Sequence, residues 1–228
     1  MPQSIAVMLE AGTKKTFAAA RDWPGWARSG RDESSALEAL FTYAPRYAAA
    51  IQPASLPFHA PEALDSLQVA ERLPGNATTD FGALSLDWPG DAEPVQAGEL
   101  ERWQAILTAC WDAFDRAAQA AVGMSLKTGP RGGGRDPAQI VAHVRDVDAA
   151  YLGSLGGRWK PDPAADPEGS LSLLRQTILD TLAASARGEI PAQGPRGGTR
   201  WTPRYFVRRM AWHELDHTWE IEDRATSS

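Results

Sequence analysis

The chain has 228 residues, a formal net charge of −6, 43% apolar residues and a single cysteine, Cys110. That length allows one large domain or two small ones around a buried core, and the acidic balance argues against a surface built to coat nucleic acid. One cysteine excludes an internal disulfide framework. No run of ~18 apolar residues and no basic-then-apolar leader is present, so no membrane span and a cytoplasmic location are expected.

The first part, residues 1–90, mixes strand and helix signals. Ser4–Leu9 and Thr16–Arg21 suit strands, with a turn at Gly12-Thr13 that makes them a hairpin. Trp23-Pro24-Gly25-Trp26 reads as a second turn. Over Arg31–Ala50, the residues Ala36, Leu37, Leu40, Phe41, Ala44 and Tyr47 recur at helical spacing, and Pro45 should kink or end that helix. Thr16 to Leu40, TFAAARDWPGWARSGRDESSALEAL, resembles a HicB-like module in its strand, Pro-Gly turn, Ser-Gly pair and helix opening with Ala-Leu-Glu. The resemblance implies a small α/β unit, which either caps the rest of the chain or binds a partner. Pro61–Leu73 reads as a short helix, Leu73–Trp88 as a loop or strand pair, and Asp87–Pro94 as a linker.

The second part, residues 97–228, reads as four helices. Over Glu99–Val122, Leu100, Trp103, Ile106, Leu107, Cys110, Trp111 and Phe114 repeat at three and four. Cys110 thus falls on an apolar face, as a core residue rather than a nucleophile. Asp136–Leu155 starts with an N-cap and a proline at the first helical position. Gly169–Arg187 carries Leu171, Leu174, Ile178 and Leu182 on one stripe, and Thr202–Arg224 is capped by Thr202 ahead of Pro203. The loops GPRGGGRDP (129–137) and GPRGGTRWTP (194–203) are similar and each enters a capped helix. Their Arg131, Arg135, Arg196 and Arg200 are candidate anion ligands at a helix start. Neither loop ends in the Gly-Lys-Ser/Thr of a phosphate-binding loop.

The chain has four histidines, His59, His143, His213 and His217. His213 and His217 are four apart, ~400° of helical rotation, so both imidazoles leave one face and can grip one Zn²⁺, Ni²⁺ or Fe²⁺. His143, beside the apolar Ile140, Val144 and Val147, is the best third ligand. A lone inward histidine is usually a satisfied core residue, but facing helices of a bundle are a common place for such a trio. Glu220 lies seven residues after His213, as a fourth ligand or a partner for an imidazole N–H. His213-Glu214-Leu215-Asp216-His217 also satisfies HExxH, in which Glu214 would be the general base of a zinc peptidase. Only eleven residues follow His217, too few for the third ligand of that class, and Glu214 is expected at the edge of the site or in solvent.

Residues 97–225 resemble the DinB-like family of metal-binding four-helix bundles. RDPAQIVAHVRDVDAAYLGSLGGR looks like its second helix, with His143 followed by Asp146 and Tyr151, and RYFVRRMAWHELDHTWEIEDR looks like its fourth, with His213 and His217. The fold expected is therefore mainly α: a four-helix bundle preceded by a small α/β module. The resemblance implies one divalent metal ion held by His143, His213 and His217. It also implies a small-molecule partner. Several branches transfer a thiol such as mycothiol, bacillithiol or glutathione to electrophiles, and others isomerise or hydrolyse thiol adducts. It implies, further, a homodimer paired through helices. Arg204, Arg208 and Arg209 are candidates to hold a cosubstrate carboxylate, and Trp212 and Trp219 to line a pocket. A non-catalytic metal-binding stress-response protein and a regulator acting through the HicB-like module are the competing readings.

Overall fold

The computed structural model describes residues 4–128, 134–160 and 166–226. Strands β1 (Ile5–Ala11), β2 (Thr16–Ala20), β3 (Ala27–Gly30) and β4 (Leu67–Pro74) form one sheet in the order β3-β2-β1-β4. β1 and β2 are an antiparallel hairpin paired from Val7↔Ala20 to Ala11↔Thr16, and β4 runs parallel to β1. The crossover between them carries α1 (Glu33–Thr42) and α2 (Ala44–Ile51). Pro45 divides the helical pattern into these two helices because it sits in the first turn of α2, where its missing N–H costs nothing.

The Trp23–Trp26 turn is closed by a hydrogen bond from the Trp26 amide to the Trp23 carbonyl at 3.1 Å, with Gly25 at φ +95°. Proline followed by a residue at positive φ is the type II pattern. A Cβ on Gly25 would also come within 3.0 Å of Leu215 and 3.2 Å of Ala211, so the turn lies directly on the last helix.

Three expectations for residues 61–94 are corrected. Leu67–Pro74 is a strand, not the end of a helix. Its Ala-Glu-Arg-Leu composition favours a helix locally, but Leu67, Val69, Glu71 and Leu73 alternate with exposed neighbours, and pairing with β1 decides the outcome. Between β4 and residue 88 lies a short helix, α3 (Ala77–Phe81), opened by an Asn76–Thr79 capping box. The stretch read as a linker is packed rather than free: Trp88 and Asp91 are both buried.

The bundle consists of α4 (Glu99–Ala120), α5 (Pro137–Leu155), α6 (Pro167–Ala186) and α7 (Pro203–Arg224), with a two-residue ribbon of β5 (Ser125–Leu126) and β6 (Ala225–Thr226) beside the ends of α4 and α7. Asp136, Asp166 and Thr202 cap α5, α6 and α7 through their side chains, and each helix begins with proline. One hydrophobic core runs through both parts of the chain, joining Trp26, Leu40 and Tyr47 to Trp103, Leu107, Leu152, Phe206 and Leu215. The other face of the sheet meets α7 through Met8, Phe17 and Trp212. Consequently α7 is covered on nearly every side: sixteen of its 22 residues are buried, so each polar group on it needs a partner inside the protein. Among the described residues no helix is long and apolar enough to cross a membrane.

Candidate metal centre

His143 of α5 meets His213 and His217 of α7. Their ligand nitrogens lie within 4.8 Å of one another, and among the described residues no other trio of histidine, cysteine and carboxylate groups comes together in this way. Ring centroids are 5.3 Å apart for His143 and His213, 5.1 Å for His143 and His217, and 4.6 Å for the i,i+4 pair. The trio combines two helix spacings. On α7 the four-residue step aligns His213 and His217. On α5 the apolar stripe Ile140, Val144, Leu152, Leu155 faces the core, and His143 stands at its border, partly exposed. The fourth histidine, His59, is exposed in a loop outside the cluster.

Each imidazole has a distinct environment. His217 Nδ1 bonds a Glu220 carboxylate oxygen at 2.7 Å, and the other oxygen of Glu220 pairs with Arg224. Glu220 is thus the orienting partner, leaving Nε2 of His217 for a ligand. The bond to His217 holds the Glu220 carboxyl below its usual range. His213 is 7% exposed and its Nδ1 has no hydrogen-bond partner. Burial, with the neighbouring His217 and His143, depresses its pKa to about 2. Burial also lowers His143, with Arg135 adding to the effect. His213 is therefore neutral at ordinary pH, the form that ligates a metal. An orphaned buried nitrogen, neutral imidazoles converging from two helices, and a carboxylate orienting one of them all fit a divalent cation.

Other residues singled out from sequence fall elsewhere. Glu214 is not at the edge of the site or in solvent. It is fully buried, turned to the equally buried Asp148 of α5, with Arg175 of α6 acting on both. As two carboxylates they would be acceptors with nothing to share, so one must keep a proton. Burial accordingly raises Asp148 to about 7 and pushes Glu214 well up. A carboxyl committed to Asp148 does not serve as the base of an HExxH peptidase. Trp212 and Trp219 are buried: Trp212 packs edge-on to Phe17 of the sheet at 5.9 Å and 6.3 Å from the His213 ring, and Trp219 against Tyr43 at 5.0 Å. The aromatic rings beside the triad are Tyr151, 5.8 Å from His213, and Trp201, 4.8 Å from Tyr151. Trp201 was not foreseen; its only signal is its place next to the Thr202 cap. Cys110 is fully buried, and burial pushes its thiol up, as suits a core residue.

Among the arginines, Arg204 pairs with Glu99 and Arg208 with Asp91, while Arg200 donates to the Pro191 carbonyl at 2.8 Å. Arg196 is exposed, and Arg131 lies outside the described residues. Arg209 and Arg135 remain beside the triad.

Comparison with curated proteins and with solved structures gives no match. A family model of the DinB superfamily matches residues 106–221, a span that opens in α4 and closes in α7 beyond both paired histidines. Half of the chain, carrying all three histidines of the cluster, answers to that family; this protein belongs to the DinB superfamily.

Proposed function

We propose that this chain is a metal-dependent enzyme that activates a low-molecular-weight thiol for transfer to an electrophile, or processes a thiol adduct, at His143, His213 and His217. The observation that carries this reading is three imidazole nitrogens within 4.8 Å of one another, with no fourth protein ligand among the described residues. Three protein ligands with an open position are the pattern of catalytic rather than structural sites. A divalent cation there supplies Lewis acidity, which makes a thiol or water on its open side easier to deprotonate. The chain's own residues do the rest. Glu220 and Arg224 fix the His217 ring, burial of His213 and His217 keeps water from the inner side, and the partly exposed His143 marks the side of entry.

Metal analysis by elemental mass spectrometry tests the site. Wild type should carry about one equivalent of Zn, Ni or Fe, and His143→Ala should lose it. Wild type that takes up nothing after loading with zinc or nickel would end the metal reading. Zinc-, nickel- and iron-loaded protein should then be assayed for conjugation of a small electrophile with several thiols. Binding of metal without turnover in any form leaves the non-catalytic metal-binding reading. A partner-binding role for the N-terminal part has to be tested on the whole chain. Deleting residues 1–90 would strip Trp26, Leu40 and Tyr47 from the shared core.

A further inference from the structure

Helix α7 carries four arginines that are wholly or partly inside the protein, and three have a carboxylate partner. Arg204 pairs with Glu99, Arg208 with Asp91 at 2.6 Å, and Arg224 with Glu220. Arg209 is the exception. It is 9% exposed, yet it donates only to neutral oxygens: Nη2 to the Tyr151 hydroxyl at 2.7 Å and Nη1 to the Leu84 carbonyl, while Nε has no partner. A buried cation without a counter-ion is costly unless something negative arrives beside it.

We propose that Tyr151 and Arg209 form a carboxylate-binding subsite beside the triad, with the charge of Arg135 drawing anions from the opposite end, so that the molecule brought to the metal face is an anion. This rests on the reading of the triad as a substrate site. Tyr151 passes the charge of Arg209 into the site: its oxygen accepts from the guanidinium, and its own proton has no acceptor among the described residues. His143 and Tyr151 lie eight residues apart on α5, and the Tyr151 ring is 5.8 Å from that of His213. Arg135 stands at the other end of the site. Its carbonyl is held by Arg224 at 3.3 Å, Arg224 holds Glu220, and Glu220 holds His217. The Arg135 side chain is exposed, with no carboxylate partner among the described residues, and its charge acts on both His143 and His213. Two acidic groups oppose them at His143, Asp146 and Glu220, and Glu220 is already committed to His217 and Arg224. Trp201, 4.8 Å from Tyr151, adds a flat apolar wall. Of the thiols, those bearing carboxylates fit such a site better than neutral ones.

Calorimetric titration of zinc-loaded protein with benzoate and benzamide tests the subsite. Benzoate should bind at least about tenfold more tightly than its neutral isostere. Tyr151→Phe should remove about tenfold of that affinity, and Arg135→Gln, which acts only through space, about twofold, with zinc content unchanged in both. Metal-free wild type should still prefer benzoate to benzamide, which keeps the test valid even if Tyr151→Phe folds poorly. Benzoate affinity unchanged in Tyr151→Phe, or no preference for benzoate in the metal-free protein, would overturn the subsite, because a carboxylate held by zinc alone gives that result. The thiol reading is separated by cobalt-loaded protein, through sulfur-to-cobalt absorption with 3-mercaptopropionate and 2-mercaptoethanol. Absence of a band with either thiol, with benzoate discrimination intact, sinks thiol chemistry and upholds the anion subsite. Equal bands with both thiols and no benzoate effect of the variants sink the subsite alone.

Discussion

His213 and Glu214 are adjacent on α7, yet one faces the partly open seam with α5 and the other faces the closed interior between α5 and α6. On the seam, three imidazoles converge and Nδ1 of the buried His213 has no partner within the chain. In the interior, Glu214 and Asp148 also leave oxygens without a partner as carboxylates, but one shared proton joins them, with the Arg175–Asp115 ion pair alongside at 2.5 and 2.7 Å. Burial does opposite things to the two kinds of group, because it disfavours whichever form is charged. It keeps the histidine neutral, and it keeps a proton on the carboxyl pair. Burial of a titratable group therefore does not by itself mark a site; the difference lies in whether the chain completes it.

The largest expected effect separates the two faces by metal. At zinc ~1,000-fold above its dissociation constant, linkage adds ~4 kcal/mol, or roughly 10 °C in Tm for a chain of this size. His213→Ala should lose that gain, whereas the double variant Asp148→Asn, Glu214→Gln should keep it. Equal zinc-dependent shifts in wild type and His213→Ala, by differential scanning calorimetry, would contradict the assignment.

Next in size is the orienting carboxylate. Glu220→Gln should weaken zinc binding by about 10–100-fold without abolishing it, read by competition with a chromophoric chelator. An unchanged dissociation constant would show that the Glu220–His217 bond does nothing for the metal.

The pH dependence of the metal-free protein sharpens the contrast further. His213 is depressed to about 2 in the fold against ~6.5 unfolded, so its stability contribution is complete above ~6.5 and is lost as pH falls. Asp148 is raised to about 7 against ~3.9 unfolded, so its contribution is complete below ~3.9 and is lost as pH rises through 7; Glu214 acts in the same direction. Between pH ~4 and ~6.5 each group contributes up to ~1.4 kcal/mol per pH unit, with opposite signs. His213→Gln should make stability fall more steeply with rising pH, and the Asp148→Asn, Glu214→Gln double variant should make it rise. Chemical denaturation across that range in chelator decides, and parallel slopes for both variants would refute the opposed roles.

The smallest effect concerns the side of α7 turned to the sheet. Gly25→Ala places a Cβ at positive φ, 3.0 Å from Leu215, and should cost ~1–2 kcal/mol of stability with zinc affinity unaltered. A loss of zinc binding in this variant would mean that the N-terminal part controls the metal face.

Local sequence signals determined the helices of the bundle, because each has an apolar stripe that needs no distant partner to read, and α5, α6 and α7 add a cap and a proline start. They also identified His213, His217 and His143, since i,i+4 spacing alone puts two imidazoles on one face. Only the tertiary structure decided what lies beyond one helix turn. The β4 segment has helix-forming composition and becomes a strand because β1 offers it a parallel edge. Glu214 sits one residue from His213 and turns inward because Asp148 of another helix receives it. Which of three similar arginines on α7 keeps its charge free depended on where Glu99 and Asp91 landed. Periodicity reports the direction in which a side chain leaves its own helix; partners across the core come from residues far apart in the chain, and no local pattern encodes them.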